Sequence, residues 1–122
     1  MKFLIVDDNA AVRRLIRSIV LPLAGDICEC TDGADALATY LAQRPDVVLM
    51  DIRMKEMNGI LATKQIREAD RKARILIVTG YDDTELRQAS MDAGACGYVL
   101  KDNLLELVRL LEAIDSSEGK NL

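Results

Sequence analysis

The sequence predicts an open α/β fold, a doubly wound sheet of five parallel strands with five helices. Three observations carry that expectation. Five short runs rich in Ile, Val and Leu recur along the chain, most of them without the alternation of a half-solvated strand, as befits parallel strands buried on both faces. Between the runs lie longer segments with apolar residues at three- and four-residue spacing, and parallel neighbours need crossovers of that length. No repeat, low-complexity tract or linker interrupts the 122 residues, a length that suits one domain.

Taken in order, the first run is Phe3 to Val6. Val12, Leu15, Ile16, Ile19 and Val20 then mark a helix, with Arg13, Arg14 and Arg17 on its polar face. Asp8 or Asn9 suits its N-cap and Pro22 its exit. The second run, Ile27 to Thr31, alternates and reads as an edge strand. Ala34 to Ala42 is a short helix closed by Arg44-Pro45, since proline biases the residue before it away from helix. Val47 to Met50 is the third run. Asn58-Gly59 forms a turn before a helix over Ile60 to Ala69. Ile75 to Thr79 is the fourth run, and a helix over Thr84 to Ala93 follows, closed by Gly94. Gly97 to Leu100 is the fifth. The last helix, Leu104 to Ile114, faces the core with Leu104, Leu107, Val108, Leu111 and Ile114, leaving Leu105 and Leu110 on its flanks. Residues 1–116 are expected to form the domain, and residues 117–122 a frayed polar tail or the start of a linker. A strand order of 2-1-3-4-5 leaves the weak second strand at an edge.

Composition narrows the chemistry. Sixteen Lys and Arg against twenty Asp and Glu give a net charge of −4, which disfavours a nucleic-acid or acidic-membrane binder. The absence of histidine removes serine-type triads, imidazole acid–base catalysis and most zinc hydrolase sites. No run is long enough for a signal peptide or a membrane span, and Cys28, Cys30 and Cys96 are an odd number without secretory context, so a reduced, cytoplasmic setting is expected. Two thiols at Cys28 and Cys30 without further soft ligands make a poor metal site, and they read as small hydrophobes.

Ligands of open α/β sheets bind beyond the carboxyl ends of the strands, where the strand order reverses. Asp7 and Asp8 end the first strand, Asp51 the third, Thr79 the fourth and Lys101 the fifth. Packing alone does not explain reactive groups at four strand ends on one rim. Three close carboxylates either raise a pKa or bind a cation, and an all-oxygen donor set favours a hard ion, Mg²⁺ above all. A lysine and a threonine hydroxyl opposite would hold phosphoryl oxygens, leaving one carboxylate to act as a nucleophile.

FLIVDDN, DVVLMDIRM, MNG, ILIVTG and AGACGYVLKD, in this order and spacing, resemble the receiver domains of two-component response regulators, over roughly residues 2 to 116. The resemblance implies a flavodoxin-like fold with Asp51 as phosphoacceptor. Mg²⁺ would be held by Asp7, Asp8, Asp51 and the backbone carbonyl of Arg53. Lys101 would pair with the phosphoryl group, Thr79 would bond to it on activation, and Tyr98 would rotate inward as Thr79 moves. Small Gly80 would leave the site open, with Arg53 and Tyr81 flanking the approach. Two departures stand out: Lys55, not proline, follows Met54, and Asp102, not a cis-proline, follows Lys101, so a trans bond is expected there.

The implied partner is a sensor histidine kinase or histidine phosphotransfer protein. The signal would leave through the surface of the fourth helix, fifth strand and fifth helix, toward a downstream protein target, an output domain or a second copy in a homodimer. No direct nucleic-acid or membrane partner is expected, and no enzymatic role beyond self-phosphorylation and dephosphorylation. The competing readings are a degenerate receiver serving as an unphosphorylated scaffold, and an aspartate-nucleophile phosphatase. The latter generally needs an acid where Arg53 stands. Nucleotide binding lacks a P-loop or glycine-rich turn after the first strand. Arg13, Arg14 and Arg17 read most simply as a solvated helix face.

Overall fold

The computed structural model describes residues 1–120, with side chains described for residues 1–116. Five strands, β1 (Lys2–Val6), β2 (Asp26–Cys30), β3 (Val47–Met50), β4 (Ile75–Thr79) and β5 (Gly97–Leu100), form one sheet in the order β2-β1-β3-β4-β5, every pair parallel. The helices are α1 (Ala10–Val20), α2 (Ala36–Gln43), α3 (Gly59–Ala69), α4 (Thr84–Asp92) and α5 (Leu104–Lys120). The predicted class and strand order are those observed.

Both faces of the sheet are apolar, which is why most strands read as continuous runs. Along β1, Leu4 and Val6 point to one side, packing with Val48, Met50, Ile75, Ile77, Ile66 of α3 and Tyr40 of α2. Phe3 and Ile5 point to the other, packing with Leu49, Leu76, Val78, Ile16 and Val20 of α1, and Leu107 and Leu111 of α5. Each such Ile, Leu or Phe, removed from water, contributes about 1.5–3 kcal/mol before entropy is charged against it. The two-residue period of the strand thus builds two cores and clamps the sheet between helix layers.

Several boundaries differ from the expected ones, each for a local reason. β2 starts at Asp26 and stops at Cys30, because Thr31 leads into a turn in which the Asp32 carboxylate accepts from Ala34 N at 2.9 Å. A 3₁₀ turn at Gly33–Asp35 therefore precedes α2, which begins at Ala36. Asn58 caps α3 by accepting from Leu61 N at 2.9 Å, so Gly59 is the first helical residue rather than part of a turn. Of the two candidate caps for α1, Asn9 serves, accepting from Val12 N at 3.1 Å. Gly94, one residue beyond the α4 cap, takes φ +108°, a conformation open chiefly to glycine.

Leu15, placed on the apolar stripe by its spacing, is 51% exposed; Ile16 and Val20 carry the contact instead. The two flank residues of α5 part company, Leu105 being 77% exposed while Leu110 packs against the core. The α5 backbone runs to Lys120, and residues 121 and 122 of the expected tail lie outside the described residues. Among the described residues no peptide bond is cis, Lys101–Asp102 included. No helix among them is long and apolar enough to cross a membrane.

Candidate functional site

Register brings the acidic groups together. Val6 of β1 pairs with Met50 of β3, so the residues that follow, Asp7 and Asp51, leave the sheet side by side, and Asp51 N donates to Val6 O at 2.9 Å. On the other side Thr79 of β4 pairs with Leu100 of β5, and Lys101 N donates to Thr79 O at 2.8 Å. Four strands thus deliver Asp7, Asp8, Asp51, Thr79 and Lys101 to one rim, at the reversal between β1 and β3.

Asp7 is 1% exposed and Asp51 6%, whereas Asp8 faces solvent. One carboxylate oxygen from each of the three lies within 4.8 Å of the others. The Lys101 ammonium spans two of them, 2.9 Å from Asp7 Oδ2 and 3.1 Å from Asp51 Oδ2. It donates a hydrogen bond to Asp51. Its charge contact with Asp7 is not aligned as one, and Asp7 Oδ2 is left buried without a hydrogen-bond partner.

Burial pushes the Asp51 carboxyl above its ordinary value, and the neighbouring Asp7 charge adds to the rise, with Lys101 only partly opposing it. Burial would pull Lys101 down, but the adjacent carboxylates of Asp7 and Asp51 outweigh that and hold it above its ordinary value. The donor set fits a hard divalent cation. It is all oxygen, it carries more negative charge than one ammonium offsets, and it includes a buried carboxylate oxygen with an unused lone pair.

The remaining sequence candidates take up positions around this rim. Thr79 is fully buried, its hydroxyl oxygen 3.4 Å from Tyr81 N. Tyr98 already points inward: it is 7% exposed, its hydroxyl donates to Tyr81 O at 2.6 Å, and the Arg87 guanidinium lies over its ring at 4.5 Å. Arg53 and Tyr81 are exposed and meet each other, the guanidinium 4.5 Å from the ring centroid. Gly80 is open, with nothing within 4 Å of where a Cβ would stand. Cys28 donates to Phe3 O and Cys30 to Thr39 Oγ1, as packed thiols do, while Cys96 is exposed.

Spacing did not reveal two supports. Asp32, buried beyond β2, accepts from Ala34 N (2.9 Å), Glu56 N (2.9 Å) and Met57 N (3.0 Å), which lashes the loop after Asp51 to the edge strand. Those three bonds hold its carboxyl below the usual range. Arg13 is not a solvated charge: its guanidinium donates to the Asp7 carbonyl at 2.6 Å and to Glu29 Oε1 of β2 at 2.9 Å. Arg14 and Arg17 are exposed, as expected, although Arg17 also meets Glu29 at 3.3 Å.

Comparison with known proteins agrees with this arrangement. The family model for the response regulator receiver domain matches residues 3–115. Chemotaxis protein CheY of Bacillus subtilis is 35% identical over 117 residues, covering 95% of this chain and 96% of that protein. Regulatory protein AtoC of Escherichia coli is 38% identical over 111 residues, 90% of this chain but 24% of AtoC. The chain therefore spans nearly all of one relative and about a quarter of the other. Among solved structures, a LuxR-family two-component response regulator from an Aurantimonas species has a TM-score of 0.87 at 35% identity, covering 95% of this chain and 85% of that one. The receiver domain of NarL from Mycobacterium tuberculosis has a TM-score of 0.82 at 30% identity, covering 97% and 96%. A match of that extent, on a sheet whose rim gathers these side chains, makes the chain a member of the response regulator receiver domain family of two-component signalling.

Proposed function

We propose that the chain is a working phosphorylation switch, with Asp51 as phosphoacceptor and residues 1–116 as the receiver unit. The observation that carries this reading is the pairing of Lys101 with both Asp7 and Asp51 on a buried, all-oxygen rim. A degenerate scaffold would have no need to bury two carboxylates against each other. Receiver domains generally bind Mg²⁺ in an acidic pocket, and here Asp7, Asp8, Asp51 and the Arg53 carbonyl would hold it. Bound there, the ion would neutralise charge on the transferring phosphoryl group.

The chain's own residues do the rest. An Asp51 carboxylate oxygen attacks the phosphorus of a phosphohistidine on a sensor kinase or phosphotransfer protein. A P–O bond forms, the P–N bond breaks, and the imidazole of the partner leaves with its electron pair. Lys101 turns from the carboxylates to a phosphoryl oxygen, and the Thr79 hydroxyl donates to another. Because Tyr98 already lies inward on Tyr81 O, phosphorylation acts by firming an existing arrangement. The α4–β5–α5 surface, with Leu105 exposed on it, then changes its affinity for a target protein, an output domain or a second copy.

The test is intact mass after incubation with Mg²⁺ and acetyl phosphate. A gain of about 80 Da, one phosphoryl group, is expected with wild type and not with Asp51→Asn. No gain with wild type would return the chain to the scaffold reading.

A further inference from the structure

Asp7 has its polar groups committed in an unusually complete way. Its N–H donates to Cys30 O at 3.1 Å, and its Oδ1 accepts from Asn9 N at 2.8 Å. Its carbonyl accepts from Arg13 at 2.6 Å. Its Oδ2 is buried and accepts no hydrogen bond, and its carboxylate is one of the three in the acidic cluster. The Lys101 ammonium stands 2.9 Å from that oxygen, and among the three groups that hold the rest of Asp7 the only side chain is Arg13.

Arg13 is itself held at both ends. Its N–H donates to Asn9 O at 3.0 Å in the first turn of α1, and its guanidinium is gripped by Glu29, on the edge strand, at 2.9 Å. The guanidinium side chain is only 15% exposed, which sets it apart from the exposed Arg14 and Arg17 on the same helix. The carbonyl it binds belongs to the peptide unit joining Asp7 to Asp8, so one contact sets the plane from which both acids project.

We infer that Arg13, oriented by Glu29, is a positioning residue for the divalent-cation site: it acts through the Asp7–Asp8 peptide and raises the affinity of the site for Mg²⁺. The inference rests on the function proposed above. Two effects of Arg13 oppose each other. Its positive charge near the acids disfavours a cation, while its hydrogen bond pre-orients the ligands. Residues that orient metal ligands from behind commonly change affinity by about 10- to 100-fold, and the Arg13 charge is already offset by Glu29 at 2.9 Å, so orientation wins.

The experiment is calorimetric titration of the full chain with Mg²⁺ at constant ionic strength. Arg13→Ala should weaken binding by about tenfold, and Arg13→Lys, which can still donate to the carbonyl, should recover part of the loss. Arg14→Ala removes the same charge one residue away and should leave affinity within about twofold. If Arg13→Ala is too unstable to titrate, Glu29→Ala carries the test, with a loss of at least about threefold expected from a loosened Arg13. Arg13 or Glu29 variants that fold and bind Mg²⁺ as tightly as wild type, or a loss equal in Arg13→Ala and Arg14→Ala, would overturn the inference and leave the proposed function intact. Wild type that takes up no Mg²⁺ would overturn the proposed function itself, and this inference with it.

Discussion

The guanidinium of Arg53 lies over the ring of Tyr81, 4.5 Å from its centroid, and joins the loop after β3 to the loop after β4. The two side chains sit two residues beyond Asp51 and Thr79 respectively, and under the function proposed above they would flank the approach of water to a phosphorylated Asp51. Both are exposed, and a cation–π contact at such a site contributes about 0.5–1 kcal/mol.

Breaking that contact should shorten the life of the phosphorylated form. A barrier lowered by about 0.5–1 kcal/mol corresponds to roughly two- to fivefold faster hydrolysis. Arg53→Ala and Tyr81→Ala should each show it in the decay of the phosphorylated mass, and the double variant should be no faster than either single one. Additive effects would mean that the two side chains act separately.

Asp51 is kept at a cost to stability. Burial and the Asp7 charge hold its carboxyl above the ordinary value of 3.8. A carboxyl raised in the folded state favours folding less as pH climbs from 3.8 through the folded value, and above that window the penalty is constant. Asp51→Asn removes the repulsion while Lys101 keeps its contact with Asp7 at 2.9 Å, so the ammonium is not stranded. Without divalent cation at pH 7, the variant should be more stable than wild type by on the order of 1 kcal/mol, a midpoint shift of a few degrees. The advantage should shrink as Mg²⁺ is added, since the ion stabilises wild type by mass action.

Asp32 has the opposite sign. Its three backbone hydrogen bonds hold the carboxyl below 3.8, so its contribution is present above that pH and is lost as pH falls through the lower folded value. Asp32→Ala leaves three amides without their acceptor and should cost about 1–3 kcal/mol at pH 7, read as a lower urea midpoint. With Asp32→Asn, the gap to wild type should narrow as pH falls through and below the ordinary carboxylate range. A gap that stays constant with pH would mean that the charge is not what holds the loop.

How much of this was legible in the sequence follows from what a one-dimensional pattern can carry. The rim residues could be read, because apolar runs buried on both faces end abruptly at Asp7, Asp51 and Lys101, whereas the strand order follows only from putting the alternating second run at an edge of a common arrangement. Arg13 could not, since helical spacing places it beside Arg14 and Arg17 and does not show that the Asp7 carbonyl is within its reach. Asp32 sits before Gly33 and looks like any turn acid; its bonds to Glu56 and Met57 span more than twenty residues. Leu15 had the right spacing for the core, yet the α1 contact is centred on Ile16 and Val20. Side chains that hold other segments in place leave no periodic mark.

Two glycines beside the site, Gly59 and Gly80, differ in what surrounds them. A Cβ on Gly59 would overlap the Asp51 carbonyl oxygen and stand 2.8 Å from Met50 Cγ, while Gly59 N donates to Ile52 O at 2.8 Å. The first turn of α3 thus rests directly on the backbone that carries Asp51, and that nearest obstacle, unlike the Met50 side chain, cannot simply move aside. Gly59→Ala must displace either α3 or the end of β3, which should cost about 1–3 kcal/mol or more and slow phosphorylation of Asp51 along with it. Gly80→Ala meets nothing within 4 Å and should leave stability within about 0.5 kcal/mol of wild type. Urea denaturation and acetyl phosphate labelling of the two variants would check both expectations. Equal effects at the two positions would mean that loss of glycine flexibility, and not the close approach of α3 to Asp51, governs the outcome.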